Sequence, residues 1–278
     1  MRGKLYICAT PIGNLEDITW RVIRTLKEVD LIAAEDTRHS RKLLNYFEIS
    51  TPLTSYHEYN KYDKAKELIK RMRGGENIAL VTDAGTPAIS DPGEVLVKMC
   101  CEENIEVTSL PGATACITAL TLSALSSKRF CFEGFLPREK KQRKEILNQI
   151  ENEERTILFY EAPHHLKETL KEIYEKVGNR KIAVCRELTK KYETVFRGTM
   201  EEIIEYYEKN NPRGEYVLVL DGINKTKRIQ EEQKNWKEID VEDHMKIYEE
   251  KGLCKKDAMR QVARDRGISR REVYKLLL

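Results

Sequence analysis

The residues best placed to do chemistry lie in one connection, Val81-Thr82-Asp83-Ala84-Gly85-Thr86-Pro87-Ala88-Ile89-Ser90-Asp91-Pro92-Gly93, which holds two aspartates, two glycines and two prolines. That mixture makes a stiff, tightly turned loop. Glycines let a backbone approach a ligand closely, and small side chains leave space for one. The plain alternative is a strand-to-helix turn that binds nothing. Five other polar clusters follow predicted strands: Thr10–Asn14, Glu35–Arg38, Pro111–Ala115, Tyr160–His164 and Arg186–Glu193. Taken singly, each is as well explained by solvated caps or ion pairs. Together they point to a shared rim, because strand ends on one side of a parallel sheet converge there. The chain has no G-x-x-x-x-G-K-[ST], no G-x-G-x-x-G after its first strand, no G-x-S-x-G and no H-E-x-x-H. P-loop, dinucleotide, hydrolase-elbow and zinc-protease chemistries are thereby set aside.

Periodicity supplies the elements that must hold these clusters. Apolar runs predict strands at Leu5–Ala9, Leu31–Ala34 and Asn77–Val81, with short ones at Thr51–Ser55 and Ile105–Val107. Helical spacing predicts helices over Asp17–Glu28, after Arg38 through Phe47, over Asp63–Arg73 and Glu94–Glu103, and from the Pro111-Gly112 turn to about Leu125. This alternation predicts an α/β fold with a largely parallel sheet. Phe130–Pro137 reads as a strand and a domain junction. A second α/β pattern follows, with a helix over Arg138–Glu154 and strands at Thr156–Tyr160, Ile182–Cys185, Thr194–Arg197 and Tyr216–Leu220. Helices are expected at His165–Val177 and Met200–Glu208. Residues 224–238 lack periodicity and read as a linker, and Asp240–Leu278 reads as three short helices. The last two, joined by Gly267 and a Ser269 cap, are helix-turn-helix-like. The expected organisation is two α/β domains, 1–126 and 127–223, with a cleft between them, and a basic helical extension at 239–278.

The chain has 278 residues, 40% hydrophobic and 34% charged, enough for two domains with real cores and a well-solvated surface. No apolar run is long enough to span a bilayer. The stretch Met1–Lys4 and the short strand after it lack signal-peptide character, so a cytoplasmic location is expected. Seven cysteines form no C-x-x-C pair and mostly sit in apolar segments, the usage of small buried hydrophobes in a reducing compartment. The five histidines show no ligand spacing, and no metal site is expected. Net charge is +3, yet residues 251–278 alone hold nine Lys or Arg against three Asp or Glu. A near-neutral body with a basic tail suggests a polyanion partner, the alternative being a solvated helical face.

Seven blocks, in order and at compatible spacing, carry a resemblance. They are Ala9-Thr10-Pro11-Ile12-Gly13-Asn14-Leu15, Ala34-Glu35-Asp36-Thr37-Arg38, the Thr82–Gly93 loop, Leu110-Pro111-Gly112-Ala113, Gly134-Phe135-Leu136-Pro137, Tyr160-Glu161-Ala162-Pro163-His164 and Arg186-Glu187-Leu188-Thr189-Lys190. Over about residues 3–222 the chain resembles the ribosomal RNA small subunit methyltransferase I family of the tetrapyrrole methylase superfamily. The superfamily resemblance implies two α/β domains, S-adenosylmethionine (SAM) in the cleft between them, and a homodimer. The family resemblance implies 2′-O-methylation of a cytidine ribose in the decoding region of 16S rRNA, with that RNA or the small ribosomal subunit as partner.

Carried over position by position, the cofactor contacts implied are Pro11, Asp83, Ala84, Gly85, Thr86, Ile89, Ser90, Thr114, Ala115, Tyr160 and Glu161. One departure is His165, which stands where the family commonly has Arg. The implied reaction needs a ribose hydroxyl held in line, with a base or an oxyanion-stabilising cation beside it. Asp36, Glu161 and Glu187 are the candidate proton acceptors, and Lys190 completes the expected catalytic set. Glu35, Arg38 and Arg186 are expected against the substrate. Two other readings stand beside this one: a methylase of a small molecule such as a tetrapyrrole precursor, and a non-catalytic RNA-binding protein on a methylase scaffold.

Overall fold

Five short strands form an all-parallel sheet in the order β3-β2-β4-β1-β5: β1 (Lys4–Cys8), β2 (Leu31–Ala34), β3 (Leu53–Ser55), β4 (Ile78–Val81) and β5 (Glu106–Leu110). The computed structural model describes residues 2–224, 233 and 235–278. The inner strands β2 and β4 are buried at every position, as a sheet covered on both faces requires. Their residues alternate between two cores. Leu31, Ala33, Ile78 and Leu80 join one, and Ile32, Ala34, Ala79 and Val81 join the other. The helices α1 (Trp20–Glu28), α2 (Thr37–Tyr46), α3 (Lys61–Arg73), α4 (Gly93–Glu102) and α5 (Ala115–Leu122) intervene. The first helix begins at Trp20, later than its periodicity predicts, because Thr19 caps it by accepting from the Val22 N–H. Since β1 lies between β4 and β5, the chain leaves β1 in one direction and β4 in the other. That reversal opens a crevice above their carboxyl ends.

The second sheet runs β6-β7-β10-β8-β9: β6 (Phe130–Phe135), β7 (Thr156–Glu161), β8 (Lys181–Arg186), β9 (Thr194–Thr199) and β10 (Tyr216–Leu220). Only β6 and β7 pair in parallel; β10 is antiparallel to both neighbours, and so is β9 to β8. The short connection 187–193 between β8 and β9 cannot hold a crossover helix, so these strands return as a hairpin. The helices α6 (Lys140–Ile150), α7 (Leu166–Val177) and α8 (Met200–Lys209) contribute to the core on one face of this sheet. On the other face, Leu158, Ala183, Cys185, Val217 and Val219 pack with Ile12 from the loop after β1 and with Cys116, Ala119 and Leu120 of α5. One apolar cluster therefore ties the two halves together.

Both sheets belong to one compact unit, Met1–Asp221; the second unit is Gly222–Leu278. Most of the linker expected at 224–238 lies outside the described residues, but 235–238 are helical rather than coil. Three helices follow, Val241–Glu250, Lys255–Arg266 and Arg270–Leu276. Trp236 stacks on the buried His244 at 3.8 Å between ring centres.

Candidate active site

The carboxyl ends of β1, β2 and β4 to β8 and the amino end of β10 meet around a cavity of about 600 Å³, a volume suited to a small-molecule ligand. The Thr82–Asp91 loop forms its most elaborate wall. Gly85 and Thr10 exchange two backbone hydrogen bonds of 2.9 and 3.1 Å, which pins this loop to the one after β1. Gly85 has φ 90°, and a Cβ there would sit 3.3 Å from Ile12 Cγ2. Thr86 Oγ1 lies 3.0 Å from the Ala113 carbonyl and 2.7 Å from Thr114 Oγ1, joining the wall to the start of α5. Ala88 and Ser90 adopt left-handed backbones (φ 69° and 61°), a strain of about 1–3 kcal/mol each that needs a firm frame. Asp91 supplies it: its Oδ1 accepts from the N–H groups of Ala88 (2.9 Å) and Gly93 (2.7 Å). From beneath, the buried Tyr56 hydroxyl donates to the Pro92 carbonyl at 2.9 Å. Gly134 of β6 closes against this loop, where a Cβ would fall 2.7 Å from Ser90 Oγ.

The opposite wall is aromatic and acidic. Tyr160 rests edge-on against Phe132 and Phe135, and its hydroxyl accepts from the Cys116 N–H at 3.3 Å; burial pushes its phenol above the ordinary value. The lining carboxylates are Glu35, Asp83, Asp91, Glu161 and Glu215, and no lysine, arginine or histidine is among the described residues that line the cavity. Burial raises the carboxyl of Glu35, with Asp83 and Asp91 adding to the effect while the Thr82 hydroxyl, donating at 2.8 Å, opposes it. Asp91 is raised by burial too. Asp83 Oδ1 accepts from the Asp36 N–H at 3.1 Å and so ties the end of β4 to the end of β2.

Of the cofactor candidates, Asp83, Ala84, Gly85, Thr86, Ile89, Ser90, Thr114, Ala115, Tyr160 and Glu161 line the cavity; Pro11 does not, and its neighbour Ile12 does. Glu161 is buried, with Oε1 accepting from the Ala162 N–H at 2.8 Å and Oε2 from the Thr169 hydroxyl. Both oxygens are thus engaged within the fold. Glu35 lines the cavity, whereas Asp36, Arg38, Arg186, Glu187 and Lys190 do not. Asp36 caps α2, accepting from the Arg38 N–H at 2.8 Å and pairing with its guanidinium at 3.2 Å, which holds the carboxyl below its usual value. Arg38 instead borders a surface dent with Thr37, Arg41, Lys42 and Asn45. Lys190 bridges Glu187 (3.0 Å) and the rim residue Glu215 (2.8 Å). Burial would raise Glu187, but the Glu215 N–H and the Lys190 ammonium outweigh it and keep its carboxyl below the ordinary range. Arg186 Nε donates to the Arg213 carbonyl at 2.7 Å. His165 is the residue before α7, 3.9 Å from Glu168.

Ile12, Asp91 and Leu188 lie in the polar clusters singled out from the sequence but are given no contact there, and Phe135 and Glu215 lie in none of those clusters. A strand-end rule cannot find Glu215, because it precedes its strand; the antiparallel run of β10 is what brings it to the rim.

A parallel sheet and a mixed sheet enclosing one cavity define a methylase of the tetrapyrrole class, and the family Tetrapyrrole (Corrin/Porphyrin) Methylases matches residues 4–204. The crystal structure of uroporphyrin-III C-methyltransferase from Thermus thermophilus complexed with S-adenyl homocysteine has the same fold, at TM-score 0.56 and 18% identity over 79% of this chain and 97% of that one. The chain belongs to the ribosomal RNA small subunit methyltransferase I family. It is 48% identical to that protein of Halalkalibacterium halodurans over 99% of this chain and 94% of the relative. It is 47% identical to that of Thermotoga maritima over 220 residues, 79% of this chain and 99% of the relative.

Proposed function

We propose that the chain is a SAM-dependent methyltransferase acting on the ribose 2′-oxygen of a cytidine in the decoding region of 16S rRNA, as a cytoplasmic homodimer. The observation that carries the cofactor assignment is the sign of the cavity: five carboxylates and no basic residue among the described residues that line it. Such a site attracts a cationic ligand and repels phosphate, and SAM carries both a sulfonium and an ammonium. The volume of about 600 Å³ and the small side chains of Ala84 and Gly85 leave room for it. Asp83, Ala84, Gly85 and Thr86 would hold it on one side, Thr114 and Ala115 on a second, and Tyr160 on a third. Bound SAM supplies a methyl group already electrophilic on its sulfonium.

The chain then has to aim a ribose hydroxyl and take its proton. Glu35 is our choice for that proton: it lines the cavity, its carboxyl is raised by burial, and Thr82 orients it. A base of raised pKa is better matched to a weakly acidic hydroxyl than Asp36, whose oxygens serve α2 and Arg38. Arg38, with Arg41 and Lys42 around the neighbouring dent, would receive RNA phosphates. Support for an RNA substrate comes from the names of the relatives, and for the cytidine 2′-oxygen from the resemblance of the seven sequence blocks.

The test is calorimetric titration with SAM, followed by transfer of labelled methyl to small ribosomal subunits and to naked rRNA, with the product digested to nucleosides. One SAM site and labelled 2′-O-methylcytidine are expected. Label on a base, or SAM binding without transfer, would sink the ribose reading, and absence of SAM binding would sink the enzyme reading altogether.

A further inference from the structure

We propose that the helical unit Gly222–Leu278 is a clamp for the phosphate backbone of RNA, gripping it with the stripe Lys256, Arg260 and Arg264 and with Arg271 and Lys275 of the next helix. The inference rests on the RNA substrate proposed above and adds how that substrate is held.

The unit has a core of its own, Val241, Met245, Ala258, Val262, Ala263 and Val273. The Thermotoga relative leaves 58 residues of this chain unmatched (278 less 220) while spending 99% of its own length, and the helical unit is of the same size. Such a unit is an addition to the α/β body rather than a part of its core.

Charge is segregated within the unit. The helix Val241–Glu250 carries Glu242, Asp243, Glu249 and Glu250 against Lys246, whereas residues 251–278 hold nine basic residues and three acidic ones. In the helix Lys255–Arg266, the residues Ala258, Val262, Ala263 and Arg266 are buried. Lys256, Arg260 and Arg264 recur every fourth residue on the exposed side, about 6 Å apart along the axis. Arg266 points the other way, its Nε donating to His244 Nδ1 at 3.2 Å inside the core. Of the three acids, Asp265 is engaged by the Tyr248 hydroxyl and by Gln261, and Glu272 closes a capping box with Ser269. Asp257 lies 3.8 Å from Arg260 and Lys275 acts electrostatically on Glu272, while Lys256, Arg264 and Arg271 are in no ion pair among the described residues.

A row of solvated cations with few acidic partners among the described residues is the arrangement that gains from counterion release on a polyanion. The left-handed Gly267 (φ 64°) and the Ser269 capping box fix the turn, so that Arg271 and Lys275 are presented from a short, capped helix. The stripe holds no amide side chain to read bases, and Gln261 on the same helix is committed to Asp265. Arginine can also read a guanine edge, so the grip is assigned to the backbone from the even spacing and solvation of the cations.

Full-length protein with Lys256→Gln, Arg260→Gln and Arg264→Gln is compared with wild type in SAM titration, in binding of a small-subunit rRNA fragment across a salt series, and in methyl transfer. Glutamine preserves helix propensity, and Trp236 fluorescence reports whether the unit is folded. SAM affinity should not change, RNA affinity should fall about 10-fold or more, and the log–log salt slope should drop by about 2–3, one step per lost phosphate contact. KM for RNA should rise with kcat nearly constant. The pair Arg271→Gln and Lys275→Gln, on the separate helix, should reproduce the effect at smaller size. Undiminished RNA affinity and slope in both folded variants overturn the proposal. Weakened binding to assembled subunits with naked RNA unaffected also overturns it, assigning the stripe to a ribosomal protein. If wild type binds RNA through the stripe yet transfers no methyl, the proposed reaction fails and the clamp stands.

Discussion

The cavity and the C-terminal helical unit use charge in opposite ways. The cavity gathers five carboxylates and no described basic residue behind a loop fixed by backbone hydrogen bonds and an internal aspartate. The helical unit spreads cations over a solvated face, turns Arg266 into its core and ties Asp265 and Glu272 into side-chain hydrogen bonds. An enclosed acidic site suits one small cation. An exposed, solvated, basic face suits a long anion of any sequence. The contrast argues that recognition of the proposed cofactor and of the proposed RNA is divided between them, with steep geometric demands on the first and weak ones on the second.

Variants that reverse one side of this contrast should have unequal effects. The largest is expected from Asp83→Arg, which removes the acceptor for the Asp36 N–H and brings a bulky cation to the wall. SAM affinity measured by calorimetry should fall more than about 100-fold, while Asp83→Asn, which keeps an acceptor, should lose far less. Equal affinities in wild type and Asp83→Arg would remove the acidic wall from cofactor binding.

Glu35→Gln, which removes one of the five lining carboxylates, should weaken SAM only a few-fold but lower kcat by about 100-fold or more, the range for a lost general base. Because burial and the neighbouring Asp83 and Asp91 raise this carboxyl above its usual 4.5, the wild-type rate should fall on acidification with a midpoint above that value. The Gln variant should lose that limb. A wild-type rate already flat down to pH 4.5 would exclude Glu35 as the proton acceptor.

The stripe variants come next, near 10-fold in RNA affinity. The smallest effect concerns the stability of the helical unit. Burial first, and the Arg266 guanidinium second, hold the His244 imidazole below its usual 6.5. Above that pH both folded and unfolded chains carry a neutral ring, and the group adds no pH dependence. As pH falls below 6.5 the unfolded chain takes up the proton first, so the unit should lose stability on acidification. Trp236 emission, followed through thermal unfolding in a Trp20→Phe background, should show the melting point drop between pH 7 and pH 5. A pH-independent melt would contradict the neutral assignment of His244.

Much of this arrangement was legible in the sequence where a local rule decided it. Leu31–Ala34 and Tyr216–Leu220 were read at their observed bounds because continuous apolar runs belong to strands buried on both faces. The Thr82–Gly93 loop was legible as a tight turn from its closely spaced glycine, proline and aspartate, and its individual cavity-facing residues only through the family resemblance. What escaped depends on partners distant in sequence. The antiparallel insertion of β10 between β7 and β8 has no local signature, and with it went Glu215. Ile12 rather than Pro11 faces the cavity because the loop after β1 is pinned by the Thr10–Gly85 bridge, a pairing across 75 residues. Charge alone could not separate the side chains on the cavity wall from those that brace its surroundings. Asp36, Glu187 and Lys190 look catalytic by type, yet their hydrogen bonds are spent on a helix cap and a salt-bridged rim.

Hydrogen–deuterium exchange of the full-length protein, recorded with SAM alone and with rRNA alone, tests the division of labour most directly. SAM should slow exchange in Thr82–Gly93, in Thr114–Cys116 and around Tyr160 and Glu161, and leave residues 255–276 unchanged. RNA should slow exchange in residues 255–276 and along α2. Protection by SAM that spares the Thr82–Gly93 loop, or protection by RNA confined to the cavity wall, would contradict it.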